Sequence, residues 1–147
     1  MSETKFLTPQ QMGAACLCLN TQRAARAVAR RYDAAFRPIG ITSGQFSILA
    51  GLNQAAPVNI GTLADALGLE RTTLTRNLAP LERAGLIQST AADGDKRVRG
   101  LTLTSKGRDK LSVAMPFWSA IQADSVKQLA PHDWQAVQPA LDRLGEG

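Results

Sequence analysis

The sequence has no long hydrophobic run. Its longest apolar stretch, Met12 to Leu19, is 8 residues and includes Gly13, far short of the ~20 that span a bilayer. Cysteine occurs twice and histidine once. A tetrahedral metal site needs three or four ligands; Cys16 and Cys18 supply two and His132 is distant in sequence, so neither a metal nor another cofactor is expected. Paired carboxylates in a plausible cleft and a glycine-rich phosphate loop are also missing, which argues against an enzyme. The Met-Ser-Glu-Thr-Lys start has no charged n-region feeding an apolar h-region, so nothing points to export. Two cysteines without an export signal read as free thiols in a reducing cytoplasm.

What is present describes an ordinary globular chain. At 147 residues the expectation is one domain. With 44% hydrophobic residues the chain is too apolar to be disordered. It is long enough to bury a core without disulfide or metal staples. The net charge is +5, and it is unevenly spread. Residues 1–59 carry 6 basic and 2 acidic side chains, residues 60–110 carry 9 and 6, and residues 111–147 carry 2 and 4. The basic field sits on the first three quarters, where an anionic partner such as nucleic acid would be met.

Helix signals dominate. Thr8-Pro9-Gln10-Gln11 reads as a capping box with proline in the first turn. The 3–4 spacing of Met12, Cys16 and Leu19, then Val28, Tyr32 and Ala35, predicts one long helix from Met12 to about Phe36, stopped by Pro38 and Gly40. Thr42 opens a second helix whose buried face is Phe46, Leu49, Ala50 and Leu52, ended by Ala55-Ala56-Pro57. A short extended piece over 57–60 follows. Asn59 caps a compact helix bearing Ile60, Leu63, Ala64 and Leu67, broken by Gly68. Another begins at Glu70–Arg71, carries Leu74, Leu78 and Leu81, bends at Pro80 and stops at Gly85. Ile87–Thr90 and Lys96–Thr104 read as two strands around an Asp93-Gly94 turn, with Gly100 marking a bulge. A long helix from Thr104 to about Leu129, interrupted by Pro116, and a last helix from Pro131 complete the order.

Two compact helices around a glycine, the second carrying cations and hydroxyls, describe a helix-turn-helix. With its leucines turned inward, the second helix leaves Arg71, Thr72, Thr73, Thr75, Arg76 and Asn77 for the outward faces. Arginine can grip guanine bidentately, asparagine can pair with adenine, and a threonine methyl can meet a thymine methyl. The hairpin behind it carries Lys96, Arg97 and Arg99, as a wing would. An arginine at its tip suits the enhanced negative potential of a narrow minor groove. Asp95, two residues earlier, suits an orienting partner for that guanidinium.

The stretches Leu63-Ala64-Asp65-Ala66-Leu67-Gly68-Leu69, Thr72-Thr73-Leu74-Thr75-Arg76-Asn77-Leu78 and Leu81-Glu82-Arg83-Ala84-Gly85-Leu86-Ile87 resemble the winged helix-turn-helix core of the MarR family. So do the wing, Asp95-Lys96-Arg97-Val98-Arg99, and its exit, Leu103-Thr104-Ser105-Lys106-Gly107. The motif match covers about 60–107. The resemblance implies a mainly α fold: a winged helix-turn-helix core over about 42–108 with a two-stranded wing, flanked by dimerisation helices over about 8–38 and 109–145. It implies a homodimer on double-stranded DNA with Arg97 at the wing tip, oriented by Asp95, and with Thr42 and Ser43 against the DNA backbone. It also implies release of DNA by a small aromatic or phenolic effector. The resulting expectation is a cytoplasmic, ligand-responsive repressor on an inverted-repeat operator.

Cysteine offers an alternative. The peroxide-sensing branch of that family has a cysteine near the start of the first helix and a tyrosine 14 residues on, the spacing of Cys18 and Tyr32. That branch also uses a second tyrosine, and Tyr32 is the only one here. On one continuous helix positions 16 and 18 point about 200° apart, so one packs and the other does not. The default for a free cysteine is a small buried hydrophobe. The arginines Arg23, Arg26, Arg30, Arg31 and Arg37 read first as a solvated helix face, with a DNA-facing stripe or a cleft for an anionic effector as alternatives. Trp134, Val137, Leu141 and Leu144 read as a dimer seam; Phe117 and Trp118 fit either a seam or a ligand site.

Overall fold

The structure is a computed structural model that describes residues 6–92 and 95–146, with side chains described outside 91–99. In chain order it contains α1 (Pro9–Ala15), α2 (Leu17–Phe36), a 3-10 turn (Arg37–Ile39), α3 (Ser43–Gly51), β1 (Val58–Asn59), α4 (Ile60–Leu67), α5 (Arg71–Arg83), β2 (Ile87–Ala92), β3 (Asp95–Leu103), α6 (Ser105–Lys127) and α7 (Trp134–Gly145). Among the described residues no helix is long and apolar enough to cross a membrane.

Both capping boxes form. Thr8 and Thr42 accept the backbone N–H of Gln11 and Gln45, and those glutamine side chains accept the threonine N–H groups in return. Asn59 caps α4 through the Gly61 N–H at 2.7 Å. Gly68 and Gly85 carry φ of 64° and 72°, the left-handed backbone that lets α4 and α5 stop abruptly.

The core forms where these elements converge. Its largest fully buried members are Phe36, Ile48, Leu49, Leu52, Leu63, Leu74, Leu81 and Leu101. Phe36 stacks on Phe46 at 4.8 Å between ring centres, Tyr32 meets Phe36 edge-on at 6.3 Å, and Phe46 stacks on Trp118 at 6.4 Å. Phe117 and Trp118 pack against this core. α6 is drawn onto it through Leu111 and Ala114. Three cations near the start of α6 are held by backbone carbonyls: Lys106 by Ala84, Arg108 by Leu103 and Lys110 by Ile39. Lys106 thereby closes the C-terminal end of α5, where a cation is favoured.

Several expectations need correction. The first helix is two helices, α1 and α2, broken at Cys16, whose extended backbone (ψ 109°) makes it the C-cap of one and the N-cap of the other. The second buries Ile48 and leaves Ala50 exposed. It ends at Gly51, before Ala55. The wing keeps its two strands, β2 and β3, and the extended piece at 57–60 becomes β1, which adds to β3 to give a three-stranded antiparallel sheet in the order β1-β3-β2. The irregularity in the β2–β3 register lies between Ala91 and Ala92, while Gly100 pairs regularly with Thr90 and Asn59. Glycine is needed there because a side chain would press on Pro57. α6 runs through Pro116 unbroken. The carbonyl that loses its partner, Ser112, sits on an exposed residue that water can serve. The last helix starts at Trp134, not Pro131, because Asp133 caps it by accepting the Ala136 N–H at 2.8 Å.

Candidate nucleic-acid interface

α4 and α5 form two compact helices joined through Gly68, with α5 held down by Leu74, Leu78 and Leu81. Those leucines follow i, i+4, i+7, so one stripe of α5 is buried and the other side stands free. Thr72, Thr75, Arg76 and Asn77 are exposed on it; Thr73 is half-buried at its margin. The Thr75 hydroxyl donates to the Arg71 carbonyl at 2.8 Å, which commits its one hydrogen and leaves its oxygen free to accept. Arg71 departs from this row. Its guanidinium lies across the first turn of α4, against Gly61.

Thr42 and Ser43 sit at the start of α3, and both are engaged within the chain. Thr42 is occupied by its capping box. The Ser43 N–H donates to Asp33 Oδ1 at 2.7 Å. Asp33 and Gly61 are two residues that sequence reasoning passed over. An acid late in a long helix carries no signal of a distant cap. Gly61 did offer one: a glycine inside a helix, where no turn needs it.

The wing is β2 and β3. Ala91 pairs with Arg99 and Ala92 with Asp95, so the register shifts there and, among the described residues, positions 96–98 fall within the irregularity. Lys96 and Arg97 therefore lie on the irregular stretch of β3, and Arg99 is back in register. The side chains of Asp95, Lys96, Arg97 and Arg99, and the Asp93-Gly94 turn, lie outside the described residues, as does the expected Asp95–Arg97 pairing.

A groove of about 770 Å³ runs between α2, α3 and α7. It is bounded by Ala24, Val28 and Tyr32 of α2, by Ser43 and Ser47 of α3, and by Leu141 and Leu144 of α7. α7 buries none of its residues. Leu141 and Leu144 are about half exposed, at 46% and 51%. The Tyr32 hydroxyl at its edge donates to Gln122 Oε1 of α6. Arg23, Arg26 and Arg30 line a separate depression on α2 with Asn20.

Cys16 is half-buried, and its sulfur accepts the Leu19 N–H at 3.4 Å. Cys18 is exposed and accepts a bond from Gln22 Nε2 at 3.3 Å. The break at Cys16 removes the geometry that set the two thiols on opposite sides of one helix. Among the described residues no three His, Cys, Asp or Glu side chains cluster as metal ligands would.

A three-stranded sheet whose hairpin follows a helix-turn-helix defines a winged helix-turn-helix protein. The MarR family model matches residues 41–98, the span from the end of the 3-10 turn to the irregular stretch of β3. The Staphylococcus aureus HTH-type transcriptional regulator MgrA is 31% identical over 120 residues, covering 77% of this chain and 82% of that one. The Escherichia coli transcriptional repressor MprA is 34% identical over 92 residues, and the aligned part spans 57% of this chain but only about half, 50%, of that repressor. Among solved structures, the M. tuberculosis transcriptional regulator MosR in complex with DNA superposes with a TM-score of 0.81. It is 40% identical, and the match covers 89% of this chain and 94% of that one. The chain belongs to the MarR family.

Proposed function

We propose that this protein is a DNA-binding transcriptional regulator that acts as a homodimeric repressor in the cytoplasm, and not an enzyme. The observation that carries the reading is the free side of α5. Thr72, Thr75, Arg76 and Asn77 stand exposed on a helix fixed by three buried leucines, next to a basic wing. Hydroxyl, amide and guanidinium groups at that spacing match base edges and phosphates in a major groove. MgrA, MprA and MosR, by their names, are transcriptional regulators, and MosR was solved with DNA. In this reading Thr73, Lys96, Arg97 and Arg99 add contacts at the margin of α5 and in the wing, Asp95 orients Arg97, and Thr42 and Ser43 approach the backbone.

The dimer reading rests on the uncovered groove and on α7. An amphipathic helix with Leu141 and Leu144 exposed and nothing of its own buried is best accounted for by a second copy that covers it. The core around α3–β3 would then be the DNA-binding part and α1, α2, α6 and α7 the dimerising part. Two-fold symmetry asks for an inverted repeat with half-sites roughly 34–36 Å apart. Footprinting of the gene's own upstream region tests this. Protection of an inverted repeat supports it, and uniform weak protection counts against it.

Control by a ligand is the favoured form of regulation. The groove is apolar and edged by Tyr32, so the part that a partner leaves open would take a small aromatic or phenolic molecule. Release of the footprinted duplex by such a molecule, monitored by anisotropy, is the test. A second reading moves the sensor to Cys18, because its thiol is exposed. Peroxide-driven release that disappears in Cys18→Ser would favour it.

A further inference from the structure

The sequence groups Arg71 with the outward residues of α5, but its position on the helix does not. At 100° per residue Arg71 lies about 60° from Leu74 and about 20° from Leu78 around the axis. It therefore belongs to the side of the buried stripe, at the point where that stripe emerges beside α4. Arg76 and Thr72 point away from that side.

Gly61 explains where the guanidinium goes. A methyl group built on Gly61 would stand 2.6 Å from Arg71 Nη2, 3.2 Å from its Cζ and 3.1 Å from Asn59 Oδ1. Gly61 is buried in the first turn of α4, where its backbone φ does not require glycine. The space a side chain would occupy is the space the guanidinium fills. Among the described residues no carboxylate lies within ion-pair distance of Arg71.

In a helix-turn-helix the second helix enters the groove and the first crosses the phosphate backbone. A guanidinium laid on the first helix is thus presented to phosphates, away from base edges. We propose that Arg71 is a clamp on the DNA backbone and that Gly61 is the positioning residue that gives it room. This rests on the DNA-binding reading above, and it removes Arg71 from the residues that read sequence.

The test is equilibrium binding, by fluorescence anisotropy at several salt concentrations, to the footprinted duplex and to a scrambled duplex of the same length. Wild type, Arg71→Ala, Gly61→Ala, the double variant and Arg76→Ala are compared, with melting curves as the check on folding. Arg71→Ala should weaken both duplexes by the same factor and reduce the salt slope by about 1, whereas Arg76→Ala should cut the preference for the footprinted duplex. Gly61→Ala should melt at or above the wild-type temperature, reproduce most of the Arg71→Ala loss, and add little to it in the double variant. Three results overturn the proposal. Arg71→Ala abolishes the preference between duplexes, or folded Gly61→Ala binds both as wild type does, or the two losses add. If Gly61→Ala fails to fold, the two-duplex comparison of Arg71→Ala still decides whether the side chain clamps or reads. Wild type that binds neither duplex overturns the DNA-binding reading itself, and is recognised because binding is absent before any substitution.

Discussion

Asp33 Oδ1 accepts the backbone N–H of Ser43 at 2.7 Å, across a separation of ten residues. The bond joins the last turns of α2 to the first turn of α3, so the helix that lines the groove is fastened to a candidate backbone-contacting end. A carboxylate is well placed there, because the first N–H groups of a helix have no partner within it and favour negative charge. Asp33→Ala should lower unfolding stability by about 1 kcal/mol in urea titrations. Asp33→Asn keeps an acceptor and should recover part of that loss. Equal losses for both variants would show that charge alone matters.

Gly107 tests how closely α6 is seated on the sheet. Any Cβ at this position would run into the Leu86 carbonyl oxygen, a backbone atom that cannot step aside. Gly107→Ala should cost about 1–3 kcal/mol in thermal or urea unfolding, the usual range for overpacking. Gly13→Ala is the control. Nothing lies within 4 Å of the added methyl, and the change within α1 should be neutral or stabilising by up to about 1 kcal/mol.

Leu74 anchors α5 with no exposed surface. Leu74→Ala should destabilise the fold by about 2–5 kcal/mol. Arg76→Ala, two residues on and exposed, should leave the melting temperature unchanged while weakening DNA binding by about 1–3 kcal/mol at the base it reads. Loss of stability in Arg76→Ala would contradict its placement on the free side.

Leu141 and Leu144 bear on the proposed dimer. The double substitution Leu141→Glu, Leu144→Glu puts charge on a face that is about half exposed, so a monomer should keep its helical content. Sedimentation should show a shift to half the mass, accompanied by loss of operator binding. An unchanged mass would remove α7 from the interface.

Much of this architecture was legible in local chemistry. Thr8, Thr42 and Asn59 announce helix starts because their side chains satisfy N–H groups two or three residues on. Gly68 and Gly85 announce stops for the corresponding backbone reason. The leucine stripe of α5 sets which side is free, and so exposes Thr72 and Arg76 to sequence reasoning. What stayed hidden depends on distant contacts. The extended piece at 57–60 was legible but its pairing was not: β1 is held by β3, some forty residues later. Pro116 looks like a break, yet the residue whose carbonyl loses its partner, Ser112, is exposed and open to water. Cysteine is an uncommon helix cap, so the stop at Cys16 had no advance signal. The site followed the same division: the outward residues of α5 were readable, but the lie of Arg71 over Gly61 and the bond from Asp33 to Ser43 join elements that the chain separates.

Specific DNA binding through α5 and the wing is best probed by the salt dependence of affinity for the footprinted duplex. Log K should fall linearly with log salt, with a slope of about −0.9 per phosphate neutralised. A preference over scrambled duplex should persist at physiological salt and shrink in Arg76→Ala. Equal affinity for both duplexes at every salt concentration, unchanged by Arg76→Ala, would contradict it.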